Sequence, residues 1–208
     1  SNCISKRLND IDYLNFVSND EIQEKLRLGN FNTNDIQELD KFPQIKITNK
    51  FFKNKGNMQF QDMENAIGND KKTYSNGAVY ADFDNDGDLD VVVSNIDEPA
   101  MLYENKTNDK KNKAFVEIKL KGSAKNINAI GAKVILFCNG GIRTYEKYPV
   151  RGFMSSMETP VQIGLDKTRI DSAFLIWPDN RFQRIILQPN DPWVTFTYQA
   201  GLPKFDYR

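Results

Sequence analysis

The chain has 208 residues, room for one large domain or two small ones, and it balances 28 lysines and arginines against 28 aspartates and glutamates. A neutral whole-molecule field gives no reason to expect nucleic acid or an anionic membrane surface as partner. Histidine is absent, which removes the commonest general base, the usual triad member and the usual zinc ligand, and leaves carboxylate-only chemistry open.

Residues 1–43 are polar and read as a partly helical segment. Ser18 with Glu21 makes a capping box ahead of EIQEKLRL, which stops at Gly29, and a second short helix is predicted over 34–40, ended before Pro43. With few apolar residues, this segment is expected to lie on another surface and not to form a core of its own. Ser1-Asn2-Cys3 reads as the remnant of a lipoprotein cleavage site, with Cys3 lipid-anchored, or as a cloning scar. No signal peptide is legible, and no run of about 18 apolar residues predicts a transmembrane segment.

From residue 44 the period changes to that of strands. QIKITNKFF and MQFQDM alternate around a turn at Lys55-Gly56-Asn57 and predict a hairpin. Asn76-Gly77 signals a second turn, and AMLYEN after Pro99 supplies another strand.

Between these lies Asp82-Phe83-Asp84-Asn85-Asp86-Gly87-Asp88-Leu89-Asp90, five carboxylates in nine residues with no Lys or Arg among them. Such a run repels itself at neutral pH and calls for a cation, against the blander reading of a solvated acidic turn. Asp at loop positions one, three, five and nine, Gly at six and the Asp88 carbonyl at seven offer the oxygen-rich, sharply turned cage of calcium; magnesium, with its strict octahedron and retained waters, fits less well. An EF-hand is excluded, because position twelve is Val93 where a bidentate Glu belongs and the apolar flanks 78–81 and 89–93 read as strands. The metal ligands expected are therefore Asp82, Asp84, Asp86, Asp88 and Asp90, with Ca2+ as cofactor.

FFKNKGNMQF around Asn54 is echoed by LYENKTNDKKNKAF around Asn105, 51 residues later. That offset suits a propeller-type repeat, whose units bury their faces only by stacking on others. One complete unit implies a fragment of a longer protein, or a lone blade docked on the C-terminal domain. NKTNDKKNK is the expected boundary, and beyond it strands are predicted at AFVEIKL, AKVILFC, IRTYEKYPV, PVQIGL, SAFLIW, FQRIIL and WVTFTYQ. Turn chemistry at Gly122-Ser123, Gly140-Gly141 and Pro178-Asp179-Asn180 separates them, giving a sandwich or partly closed barrel. Cys138, Trp177 and Trp193 are expected to pack in the core. Two cysteines are too few for a disulfide framework.

SNGAVYADFDNDGDLDVVVSN followed by AMLYEN resembles an FG-GAP or VCBS-type repeat, the blade unit of calcium-binding β-propellers. AIGAKV, RGFMSSM, IGL and LIWPDNRFQRI, in that order, are similar to the ASPIC/UnbV domain, which follows such repeats in cartilage acidic protein-like and Bacteroidetes-type secreted or surface proteins. The resemblance implies ion ligands at Asp82, Asp84, Asp86 and Asp90 with the Asp88 carbonyl, and a noncatalytic module with further blades upstream. Where the second family often has a His before its FGLG-like motif, this chain has Gln162.

The expected fold is mainly β: a partly helical segment over 1–43, a repeat blade over 44–107 and a β-sandwich-like domain over 112–208. The expected function is a calcium-stabilised binding or adhesion module with an unidentified protein or glycan ligand, extracellular or on the outer-membrane surface. The alternative is a carbohydrate-active enzyme or its accessory glycan-binding domain, for which Tyr145, Tyr148 and Arg151 form the cluster to test.

Overall fold

The computed structural model describes residues 11–42, 45–68, 70–109, 113–165, 168–188 and 191–207. Cys3 and Pro43, on which two of the expectations above rest, lie outside them. The chain divides into two compact units, Ser1–Gly77 with Val93–Met101, and Ala78–Val92 with Leu102–Arg208.

The first unit opens with helices α1 (Ile11–Val17), α2 (Asp20–Leu28) and α3 (Thr33–Asp40). The first of these was not anticipated. The cap of α2 is Asn19 and not Ser18: the Asn19 side chain accepts from the amides of Glu21 and Ile22 at 3.0 and 3.4 Å, while the Ser18 hydroxyl turns back to the Leu14 carbonyl. Gly29 closes the helix at φ 66°, as expected. A reciprocal cap starts α3, with the Asp35 amide on Asn32 Oδ1 and the Asn32 amide on Asp35 Oδ2, both at 3.0 Å.

Strands β1 (Phe52–Gly56) and β2 (Gln59–Asp62) form the anticipated hairpin. Its turn residues Asn57 and Met58 both hold left-handed φ, 50° and 59°, the geometry that matches the twist of a two-residue connection. The strand was expected to begin at residue 44, which lies outside the described residues; from residue 45 on, the first strand is the one that begins at Phe52, and before it Ile47 makes an isolated bridge to Thr73. The echo between Asn54 and Asn105 has a structural counterpart. Each side chain accepts the amide two residues on, Gly56 at 2.8 Å and Thr107 at 3.1 Å, in matching Asx turns.

Strands β3 (Ser75–Ala81), β4 (Asp90–Asn95) and β5 (Met101–Tyr103) make a three-stranded sheet in that order. Asn76-Gly77 lies inside β3 and is not a turn. The Gly77 amide donates to the Ser94 hydroxyl, which donates back to the Gly77 carbonyl, each at 3.1 Å, so the neighbouring strand holds the dipeptide extended.

In the second unit follow β6 (Phe115–Lys121), β7 (Lys133–Cys138), β8 (Gly141–Glu146), β9 (Val150–Gly152), β10 (Ser155–Ser156), β11 (Val161–Gly164), β12 (Ile170–Ile176), β13 (Phe182–Ile185) and β14 (Trp193–Thr197). The run IRTYEKYPV thus divides between β8 and β9. The β7–β8 turn is Asn139-Gly140, at φ 49° and 74°, with Gly141 already in the strand. One sheet has the order β11-β6-β14 and the other β13-β12-β7-β8. Alternate residues of both point into one core: Val116, Ile118 and Leu120 from β6, Val134, Leu136 and Cys138 from β7, Ala173 and Leu175 from β12. The architecture is a two-sheet sandwich, with no closed barrel among the described residues.

The two tryptophans part company. Trp177 is 1 % exposed and meets Tyr198 edge-on at 5.5 Å. Trp193 is 56 % exposed, contrary to expectation, because β14 joins β6 in parallel with Trp193 opposite Glu117, which puts Val194 and Phe196 on the core side and Trp193 outside. The outward face of the sheet β11-β6-β14 therefore carries Phe115, Glu117, Gln162 and Trp193.

Candidate metal centre

The acidic loop leaves β3 at Ala81 and enters β4 at Asp90, so strands flank it on both sides, as anticipated. Two left-handed residues turn the chain, Asn85 at φ 63° and Gly87 at φ 90°. Inside the bend the carboxylates collect amides. Asp82 accepts from Asp86 at 3.2 Å and Gly87 at 2.9 Å, Asp84 from Asp86 at 3.3 Å, and Asp86 from Asp88 at 2.9 Å. These bonds draw the side chains of Asp82, Asp84 and Asp86 inward until their ligating oxygens all lie within 4.8 Å of one another. Two opposed Ca–O bonds of about 2.4 Å span the same distance.

Asp88 and Asp90 stand beside this triad with their carboxylates on main-chain amides. Asp90, buried in β4, accepts from Phe83 at 3.1 Å and Asn105 at 2.8 Å; Asp88 accepts from Asn108 at 2.8 Å. Sequence reasoning missed the braces. Asn105 donates to the Leu89 carbonyl at 3.3 Å, and Asn108 donates to the Asp86 carbonyl while accepting from Lys113 at 2.6 Å. Both lie in the polar stretch read as a boundary. The Asn54/Asn105 echo was the one signal that could have singled out Asn105.

The loop is also seated on the outward face of the sheet β11-β6-β14. Gln162 Nε2 donates to the Gly87 carbonyl at 2.9 Å, and a β-carbon built on Gly87 would fall 2.0 Å from Phe115 Cδ1. Gln162, at the position where the resembled family often has a His, thus holds the tip of the acidic loop.

Electrostatics inside the loop are adverse. Burial raises the Asp88 carboxyl, against the pull of the Asn108 amide, and the charges of Asp86 and Asp90 add to the rise. For Asp86 the Asp88 amide pulls down most strongly, but burial and the charges of Asp84, Asp82 and Asp109 together outweigh it and the net shift is upward. Burial, then the charge of Asp82, also raises Glu117 on β6. No lysine or arginine among the described residues pairs with any of the five loop aspartates. Asp86 Oδ2 and Asp88 Oδ1 are buried with no hydrogen-bond partner. Unpartnered buried carboxylate oxygens, adverse mutual charge and an all-oxygen donor set fit a hard divalent cation.

Fold and loop together define a class, a β-rich module in which an acidic, strand-flanked repeat precedes a sandwich. Residues 46–93 match the family model for the FG-GAP-like repeat, and residues 122–203 match the model for ASPIC and UnbV. The chain carries an FG-GAP-like repeat followed by an ASPIC/UnbV domain, the arrangement expected from its motifs. A search of curated proteins gave no match. The combination is that of an extracellular-type β-rich module. No helix among the described residues is long and apolar enough to cross a membrane.

Proposed function

We propose that this chain is a noncatalytic, calcium-stabilised binding or adhesion module of an extracellular or cell-surface protein, working beside further propeller blades of the same polypeptide. Asp82, Asp84 and Asp86 supply carboxylates to the ion. The Asp88 carbonyl and a remaining lone pair of Asp90 complete the donor set. The ion's work is structural: it cancels the self-repulsion of the loop and fixes that loop on the face of β6 and β11.

The observation that carries this reading is the pair of buried, unpartnered oxygens on Asp86 and Asp88 in a loop that no lysine or arginine among the described residues pairs with. A site whose Kd is one hundredth of the free calcium adds about 2.7 kcal/mol to folding, a large part of a typical 5 to 15. Thermal melts in millimolar calcium and in excess EGTA test it. We expect a higher melting temperature with calcium and no difference in Asp86→Ala; equal melts of the unmodified chain would remove the calcium reading. A second reading, an accessory glycan-binding domain, takes support from a cavity beside the loop.

A further inference from the structure

The strands that flank the acidic loop also wall a cavity. Tyr80 near the end of β3 and Leu89 just before β4 line it together with Tyr145, Tyr148, Arg151 and Gln162, enclosing about 190 Å³. Its strongest charge is held in place. Arg151 Nε donates to the Tyr148 carbonyl at 3.0 Å and its Nη2 to the Glu146 carbonyl at 2.5 Å. Two carbonyls orient the guanidinium without cancelling its charge, and no carboxylate among the described residues pairs with it. The other cation of the wall, Lys147, is neutralised by Glu158 at 2.5 Å and donates also to the Thr159 carbonyl.

The rest of the wall is aromatic with polar tips. Tyr80 and Tyr145 are half-buried, Tyr148 is exposed, and none of their three hydroxyls has a protein partner among the described residues. A fixed, uncompensated guanidinium recognises a carboxylate through paired N–H donors. Tyrosine rings with free hydroxyls suit a partner that has both apolar C–H faces and hydroxyls of its own, which is the surface of a sugar ring. The volume lies below the roughly 300 Å³ at which drug-sized sites begin and suits one such ring. Among the described residues one acid, Glu146, lines the cavity. The commonest glycosidase mechanism uses a pair of carboxyl groups.

We propose that this cavity binds a single uronate unit of an acidic saccharide, its carboxylate on Arg151 and its hydroxyls among Tyr80, Tyr145 and Tyr148. The proposal rests on the reading of the chain as a noncatalytic binding module and gives that module a ligand class. Because Gln162 both lines the cavity and holds Gly87, the acidic loop and the sugar site share a wall.

The test is a set of NMR titrations of the whole chain in calcium with methyl glucuronoside, its methyl ester, methyl glucoside and acetate. We expect millimolar binding of the glucuronoside, with the ester, the glucoside and acetate each at least tenfold weaker. Arg151→Met should weaken the glucuronoside at least tenfold without lowering the melting temperature. Tyr148→Phe, which keeps the ring, should weaken it severalfold. Equal binding of the ester would overturn the role of Arg151. Equal binding of acetate or of a peptide with a free C-terminus would make this a plain carboxylate site and overturn the saccharide, and absence of glucuronoside binding would overturn the proposal outright. Parallel titrations in EGTA, with products monitored, separate this from the reading beneath it. Glucuronoside binding alongside calcium-independent melting would remove only the calcium reading, and cleavage of the glycoside would remove only the noncatalytic one.

Discussion

Gly87 sits at φ 90° with the Phe115 ring against its α-carbon, so an L side chain there is penalised twice, by the backbone and by contact. Gly87→Ala is expected to cost about 2 to 4 kcal/mol in a denaturant melt, calcium present or absent. The five aspartates differ just as sharply in what their loss should do. Asp90 is buried and satisfies the amides of Phe83 and Asn105, so Asp90→Ala leaves two orphaned donors and should destabilise by about 2 to 5 kcal/mol even in EGTA. Asp84 is exposed at the rim, and Asp84→Ala should cost less than about 0.5 kcal/mol in EGTA while reducing the gain from calcium. Near-equal losses for the two variants in EGTA would mean that all the carboxylates play one role. The spacing of the acids was readable in the sequence; their division of labour was not, because it depends on amides from residues 105 and 108 that only the folded chain brings to the loop.

At the scale of elements, the helices of the first unit are decided by caps. Asn19→Ala should lower stability by about 1 kcal/mol and Ser18→Ala by much less, the reverse of what the Ser18/Glu21 spacing alone implies. Both residues suit a cap by type, and the choice falls to whichever has its side chain over the first free amides. Between α2 and α3 the Asn32 amide, and then Lys25 at 3.0 Å, hold the Asp35 carboxyl below its usual range. A carboxyl depressed in the folded state stabilises above its unfolded pKa, and the contribution is lost as pH falls through the folded value. Melts of the parent chain and Asp35→Asn should therefore differ at neutral pH and converge in acid. A constant gap across the titration would assign Asp35 a packing role only.

For the molecule as a whole, the telling contact is long in sequence: Gln162, 75 residues from Gly87, holds the loop that resembles a metal site. Gln162→Ala should leave the sandwich folded, since the side chain faces away from its core, yet shrink the melting-temperature gain from calcium; an undiminished gain would show that loop and sandwich are uncoupled. The mainly β character, the strand-flanked acidic turn and the sandwich strands were legible because periodicity and loop spacing are local properties of the chain. Asn76-Gly77 misled because a dipeptide that favours a turn was overruled by a neighbouring strand, and Trp193 because an apolar run does not reveal which alternate face its pairing will bury. The amino-acid order alone determined where five carboxylates cluster and which segments extend. Tertiary structure decided which of those carboxylates are satisfied by amides, what surface the loop rests on and where the cavity opens, because each depends on backbone donors and side chains far apart along the chain.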